Sequence, residues 1–193
     1  MLIANILPMK KKLYIIPGFG ETTKDKPYKE IQKNAKDKGY EVIPIDLSWS
    51  RNTMSDWIRE AREKVLEYGD NNSSILGFSF GAFVAVELSK EFSFKKIFVC
   101  SLSPYYSEDL KFMPKVIIRH GKKRVADFKK YKFPANIKIK AVFMVGDSEW
   151  KFAQKRVGER FKKWKGTKSL KIINDSNHDI GNPEYLKEIK KEL

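Results

Sequence analysis

Five residues, Gly77-Phe78-Ser79-Phe80-Gly81, form a G-x-S-x-G pattern that is able to present a reactive hydroxyl. An apolar run, residues 74–77, ends on the first glycine, and an apolar helical stretch, residues 80–92, begins at once. A chain that turns from strand to helix within two residues holds the middle residue in a strained conformation. Gly77 and Gly81 leave room for the backbone to pass close to itself there. Ser79 is therefore expected at the carboxyl edge of a sheet, where open α/β folds gather their sites. An ordinary tight turn is the plain alternative.

A serine hydroxyl is a poor nucleophile without a neighbouring base, and the chain has two histidines. His178 sits in Asn174-Asp175-Ser176-Asn177-His178-Asp179, a polar loop after the last apolar run. His120 stands among Arg119, Lys122 and Lys123. Positive neighbours lower its pKa, and it is expected to be an exposed surface residue. His178 is the expected base. Such a base needs a carboxylate to hold its tautomer. Asp147, in Val145-Gly146-Asp147-Ser148-Glu149-Trp150, precedes His178 by 31 residues. That interval holds one helix and one strand, so neighbouring strands would bring the two loops together. Asp147 is the expected acid. Asp175, Asp179, Glu108 and Asp109 stay open as rivals, and helix capping is the plain reading of Asp147.

An oxyanion formed at Ser79 would need backbone N–H donors. Phe80 offers one at the positive end of its helix. Phe19, in Pro17-Gly18-Phe19-Gly20, is the expected second. A plain turn remains possible at that loop. A dinucleotide fingerprint fits less well, because Thr23 occupies its third glycine position and no G-x-x-x-x-G-K-[ST] loop exists in the chain.

The elements that must position these residues follow from periodicity. Residues 13–16, 41–47, 74–77, 96–102, 139–145 and 170–173 read as strands. Residues 26–38, 53–68, 80–92, 150–164 and 183–193 read as helices, with Gly39 and Gly69 as stops. Pro44 points to an edge position for the second strand. Runs such as VFMV and IFVC are apolar throughout, as strands buried on both faces should be. Alternating strands and helices predict an α/β fold, a three-layer sandwich with a mainly parallel, roughly six-stranded sheet. No repeat or linker interrupts residues 1–193, which are expected to form one domain.

The chain has 193 residues, 41% of them hydrophobic, and 39 Lys+Arg against 24 Asp+Glu give a net charge of +15. One cysteine, Cys100, excludes an internal disulfide and any multi-cysteine metal site. It is expected to be a small core residue. Two histidines exclude a His-rich zinc centre, and no cofactor or metal is expected. The longest apolar runs fall far short of the ~20 residues that cross a bilayer. Residues 1–9 are apolar, but lysines follow rather than precede them, the reverse of a secretory signal; Met9 resembles a second start. A cytoplasmic protein is expected. The basic cluster at residues 119–132 has no accompanying nucleic-acid motif, and most lysines fall in helical patterns with Glu nearby.

The order Ser79, Asp147, His178 with a loop of oxyanion donors upstream resembles the α/β-hydrolase superfamily over nearly the whole chain from Leu13. The resemblance implies Ser79 as nucleophile, His178 as base, Asp147 as orienting acid, Phe19 and Phe80 as oxyanion donors, and Gly77 and Gly81 as elbow glycines. Two features depart from the pattern: Pro17-Gly18 stands where many members have His-Gly, and the first two strands of the family are missing. The family commonly carries a lid between the strands that here end near Leu102 and begin near Ile139. Residues 104–138 would be that segment, with aromatic residues lining an acyl pocket and cations greeting an anionic substrate; a helix packed on the sheet fits equally well. The implied activity is a serine hydrolase cleaving a carboxylic ester or thioester through an acyl-enzyme. Acyl transfer through the same serine, or a non-catalytic hydrolase-fold protein that binds acidic partners, are the alternatives.

Overall fold

The computed structural model describes residues 10–113 and 115–193. The apolar residues 1–9, read above as lacking the order of a secretory signal, and Pro114 of the 104–138 segment lie outside them. Six strands follow the chain as β1 (Lys11–Ile16), β2 (Tyr40–Pro44), β3 (Ser73–Phe78), β4 (Lys96–Cys100), β5 (Lys140–Gly146) and β6 (Lys168–Ile173). All neighbours pair in parallel, in the order β2-β1-β3-β4-β5-β6. Six helices connect or close them: α1 (Lys26–Asp37), α2 (Met54–Tyr68), α3 (Phe80–Leu88), α4 (Val116–Phe128), α5 (Lys151–Lys163) and α6 (Pro183–Glu192).

The expected α/β architecture is therefore present, and β2, which ends on Pro44, lies at the sheet edge. Proline lacks an N–H to give to a second neighbour, so an edge is where it fits. One face of the sheet packs Tyr28 and Ile31 of α1 with Tyr185 and Ile189 of α6. The other packs α2, α3, α4 and α5, with Trp57, Phe83, Phe128 and Trp164 in one continuous core. β3 is buried at all six positions, and α3 at all nine. An element buried all round carries no amphipathic stripe, which is why α3 reads as apolar on every side.

Local chemistry sets several helix ends. Thr53 and Asp56 form a capping box at the start of α2, worth about 1 kcal/mol. Asn182 caps α6 by accepting the Glu184 N–H at 2.9 Å, with Pro183 in the first turn. Residues 101–139, without a clean period in the sequence, hold a short 3-10 turn at Leu110–Phe112 and then α4. The period is broken because α4 kinks at Gly121, whose φ of +77° is non-helical and open to glycine. Arg160 of α5 anchors the 3-10 turn through a buried bidentate pair with Asp109, at 2.8 and 2.9 Å.

Candidate active site

β3 runs straight into α3 through Ser79, which has φ +56° and ψ −116°. A non-glycine residue there is strained, and such strain persists only where its surroundings dictate it. They do so through the two glycines. A Cβ on Gly77 would lie 2.3 Å from the Gly81 carbonyl oxygen, and one on Gly81 would lie 2.2 Å from that of Ile16. The closeness that packs α3 onto β1 and β3 thus requires both glycines. Ser79 stands at the carboxyl end of β3, in the middle of the sheet.

His178 reaches it from the loop between β6 and α6. Its Nε2 is 2.8 Å from Ser79 Oγ, although the two residues are 99 positions apart. The other ring nitrogen, Nδ1, is 3.0 Å from Glu149 Oε2. Nδ1 therefore carries the hydrogen that Glu149 accepts, and Nε2 has a lone pair for the Ser79 hydroxyl. Ser103 Oγ lies 3.0 Å from Ser79 Oγ; with Ser79 donating to His178, Ser103 donates to Ser79. Phe78 packs against the imidazole, with ring centroids 4.9 Å apart.

Asp147, the acid expected from spacing, is not the carboxylate at the imidazole. It accepts the backbone N–H groups of Asp175 at 3.2 Å and Ser176 at 3.3 Å. The Ser148 hydroxyl, and then those two N–H groups, hold its carboxyl below the usual range. It latches the loop that carries His178. The correction has a geometric cause. After Gly146 the chain leaves the sheet alongside the 173–176 loop, with Asp147 N–H on the Ile173 carbonyl and Ser148 N–H on that of Ser176. A Cβ on Gly146 would lie 2.1 Å from the Ser176 carbonyl oxygen. This contact turns Asp147 toward the outer loop and Glu149 inward.

Glu149 is 4% exposed, and a carboxylate so buried needs partners for its lone pairs. Oε1 accepts from the Gly146 N–H at 3.0 Å and from the Ser101 hydroxyl. Tyr185 Oη continues the network, 2.9 Å from Ser101 Oγ. The rival carboxylates are committed elsewhere. Asp109 and Glu108 pair with Arg160, Asp179 accepts the Gly181 N–H at 2.7 Å, and Asp175 has the left-handed φ of +51° that turns the loop.

The loop after β1 is braced from two sides. The Gly18 N–H is 2.8 Å from Glu21 Oε2 and 3.0 Å from Tyr28 Oη. The Tyr28 phenol is pushed far up by burial and then by the Glu21 carboxylate. The Phe19 ring leans on Trp49, Trp57 and Phe80, with the Arg124 guanidinium 5.1 Å from its centroid. With the Gly18 N–H engaged, the Phe19 N–H has no hydrogen-bond partner among the described residues. The Phe80 N–H is the first of α3, where helical N–H groups lack an intrahelical acceptor. Both residues line the same cleft as Ser79.

That cleft has a volume of about 450 Å³, with Phe19, Phe80, Tyr105 and Trp150 among its walls. His120, expected on the surface, is instead a buried wall residue, because the turn of α4 before Gly121 points inward at Phe80, Tyr105 and Phe128. Its Nε2 is buried without a hydrogen-bond partner. Burial first, then Arg119 and Arg124, lower its pKa to about 4. Cys100 is fully buried in β4, and burial pushes its thiol well up, so it is the core residue expected.

Glu149, Ser103 and the burial of His120 escaped the sequence. Glu149 shares its turn with Asp147, and the only signal separating the two is burial, which is tertiary.

No family model matches the sequence. No curated protein matches it either. Solved structures do match in fold. Alpha/beta hydrolase domain-containing protein 10 from mouse superposes with a TM-score of 0.76 at 8% identity, over 95% of this chain and 89% of that one. An esterase from Exiguobacterium antarcticum gives 0.72 at 12% identity, over 94% and 90%. The RedJ thioesterase of the prodiginine pathway in Streptomyces coelicolor gives 0.66 at 17% identity, over 94% and 85%.

Proposed function

From the α/β-hydrolase fold, which this chain has, we propose that the protein is a serine hydrolase that cleaves a carboxylic ester or thioester. The observation that carries this reading is the unbroken hydrogen-bonded series from Ser79 Oγ through His178 to Glu149, at 2.8 and 3.0 Å. Ser79 Oγ attacks the substrate carbonyl carbon as its proton passes to His178 Nε2. The carbonyl π-electrons move onto oxygen, and the Phe19 and Phe80 N–H groups stabilise the oxyanion. As the oxyanion collapses, the bond to the leaving alkoxide or thiolate breaks, and the imidazolium returns its proton to that group. Water then repeats the sequence on the acyl-serine, giving one proton to His178 and its hydroxide to the carbonyl carbon. Free acid and serine result.

Each other residue has a matching part. Glu149 holds the Nδ1–H tautomer and offsets the charge of the imidazolium. Asp147 positions the His178 loop. Within residues 104–138, Tyr105, Arg119 and His120 form the lid-like wall of the substrate cleft, and Ile118 lies outside it. The fold neighbours that are an esterase and a thioesterase support the substrate class. A free, buried Cys100 as the sole thiol supports a cytoplasmic setting; no described helix is long and apolar enough to cross a membrane.

The test is turnover of short p-nitrophenyl esters and thioesters, together with labelling by a fluorophosphonate probe. The expected result is labelling of the parent protein at Ser79 and none of Ser79→Ala. Full-strength labelling of Ser79→Ala refutes the reading.

A further inference from the structure

Three of the eight large apolar side chains exposed among the described residues line one groove beside the cleft mouth. Phe112 is 53% exposed, Ile118 84% and Trp150 53%, and Ile117, next to Ile118 in the chain, is 46% exposed. They belong together. Phe112 and Trp150 both pack on Phe152, at 5.7 and 5.0 Å between centroids. With Ile118 and Met113 they line an outer groove of about 440 Å³. This groove shares Tyr105, Arg119 and Trp150 with the cleft of Ser79. α4 has already buried an inward face, Val116, His120, Val125 and Phe128, and its outward isoleucines stay exposed, Ile118 most of all.

Along the segment that carries Phe112 and the isoleucines the charge has one sign. From Asp109 to Asp127 the sequence has six cations and no carboxylate in between. Both flanking aspartates face inward, Asp109 onto Arg160 and Asp127 onto Ser55 and Lys130. Arg124 is turned onto Phe19 and Trp57. The other five, Lys111, Lys115, Arg119, Lys122 and Lys123, make no ion pair among the described residues.

We propose that this face docks on an anionic lipid surface and opens the cleft toward it. Protruding apolar side chains with Lys115 and Arg119 in the same groove suit the interface, where the apolar groups enter the acyl boundary and the cations meet headgroup phosphates. A polyanion alone does not account for the face: Ile118 offers no π surface for a base to stack on. Trp150, apolar in body and polar at its N–H, is a residue type that interfaces favour. The docking is independent of the assignment of Ser79, and the two fail separately.

The experiment mixes the full chain with vesicles of phosphatidylcholine alone, or of phosphatidylcholine with phosphatidylglycerol in equal parts, and measures flotation and tryptophan emission. Trp49, Trp57 and Trp164 are buried, so a blue shift on binding reports Trp150, and Trp150→Phe removes it. The mixed vesicles are expected to bind at least tenfold more tightly than phosphatidylcholine alone, with binding weakened at least tenfold by high salt. Ile118→Asp is expected to weaken binding at least tenfold while hydrolysis of a soluble short ester is unchanged; Ser79→Ala is expected to bind as the parent does. The proposal is overturned by equal binding of both vesicle types, by full binding of Ile118→Asp, or by no vesicle binding. In the last case, retention on polyglutamate or RNA, or a dimer that Ile118→Asp dissolves, identifies a different occupant.

Discussion

Two histidines face one cleft from opposite walls. His178, on the rim loop after β6, has a side chain 48% exposed, yet both ring nitrogens are engaged. His120, on α4, is buried, and its Nε2 has no partner. The difference lies in their surroundings. The rim wall is built to hold an imidazole in one tautomer next to a hydroxyl, through a backbone network that joins β4, β5 and β6. The α4 wall excludes water with stacked rings, and its imidazole stays neutral because a cation there would be desolvated and repelled. Hydrogen-bond partnership, rather than burial, distinguishes the His178 imidazole from that of His120.

The largest effect is expected at the serine. Ser79→Ala is expected to lower kcat by 10⁴-fold or more with the circular dichroism spectrum unchanged, since removing a nucleophile costs the covalent route. Glu149→Gln comes next, with kcat down by about 10²–10⁴ because the amide disfavours the Nδ1–H tautomer; pre-steady-state acylation rates check it. The α4 wall is tested through stability. Because the folded His120 titrates near 4 and an unfolded histidine near 6.5, the unfolded chain binds more protons between these values. Stability therefore falls as pH drops from 6.5 to 4, by up to about 3 kcal/mol from this one group. Denaturant titrations at both pH values are expected to show that His120→Phe removes this part of the acid loss, with kcat near neutral pH unaltered. The smallest effect is expected at Asp147→Asn, which keeps one carbonyl acceptor for the loop and should cost less than tenfold in kcat. A loss there as large as that of Glu149→Gln would return the orienting role to Asp147.

Much of this was legible in the chain. The strand–serine–helix turn could be read because its cause is local: two glycines, an apolar run on each side and a reversal within two residues. That His178 is the histidine beside Ser79 was readable from scarcity, there being two histidines to choose from. Spacing points to Asp147 where the structure has Glu149 at the imidazole, because sequence spacing identifies a loop and not a side chain within it. Asp147 and Glu149 are two positions apart, with Ser148 between them, and which one turns inward depends on the close pass of Gly146 over Ser176, a contact between residues 30 positions apart. His120 reads as exposed from the sequence because its charged neighbours point to solvent. Four of them, Arg119, Lys122, Lys123 and Arg124, surround one inward ring, since Gly121 kinks the helix beside it.

The amino-acid order alone determined the alternation of elements, the parallel sheet, the edge position of β2 and the presence of a hydroxyl on a strained turn. These follow from periodicity, backbone sterics and glycine, all of which act over a few residues. Only the tertiary structure decided which carboxylate meets the imidazole, which histidine is sealed in a wall and which apolar side chains are left standing in water. Those outcomes depend on distances between strands and loops far apart along the chain, and a side chain's partners are set by packing that no local pattern encodes.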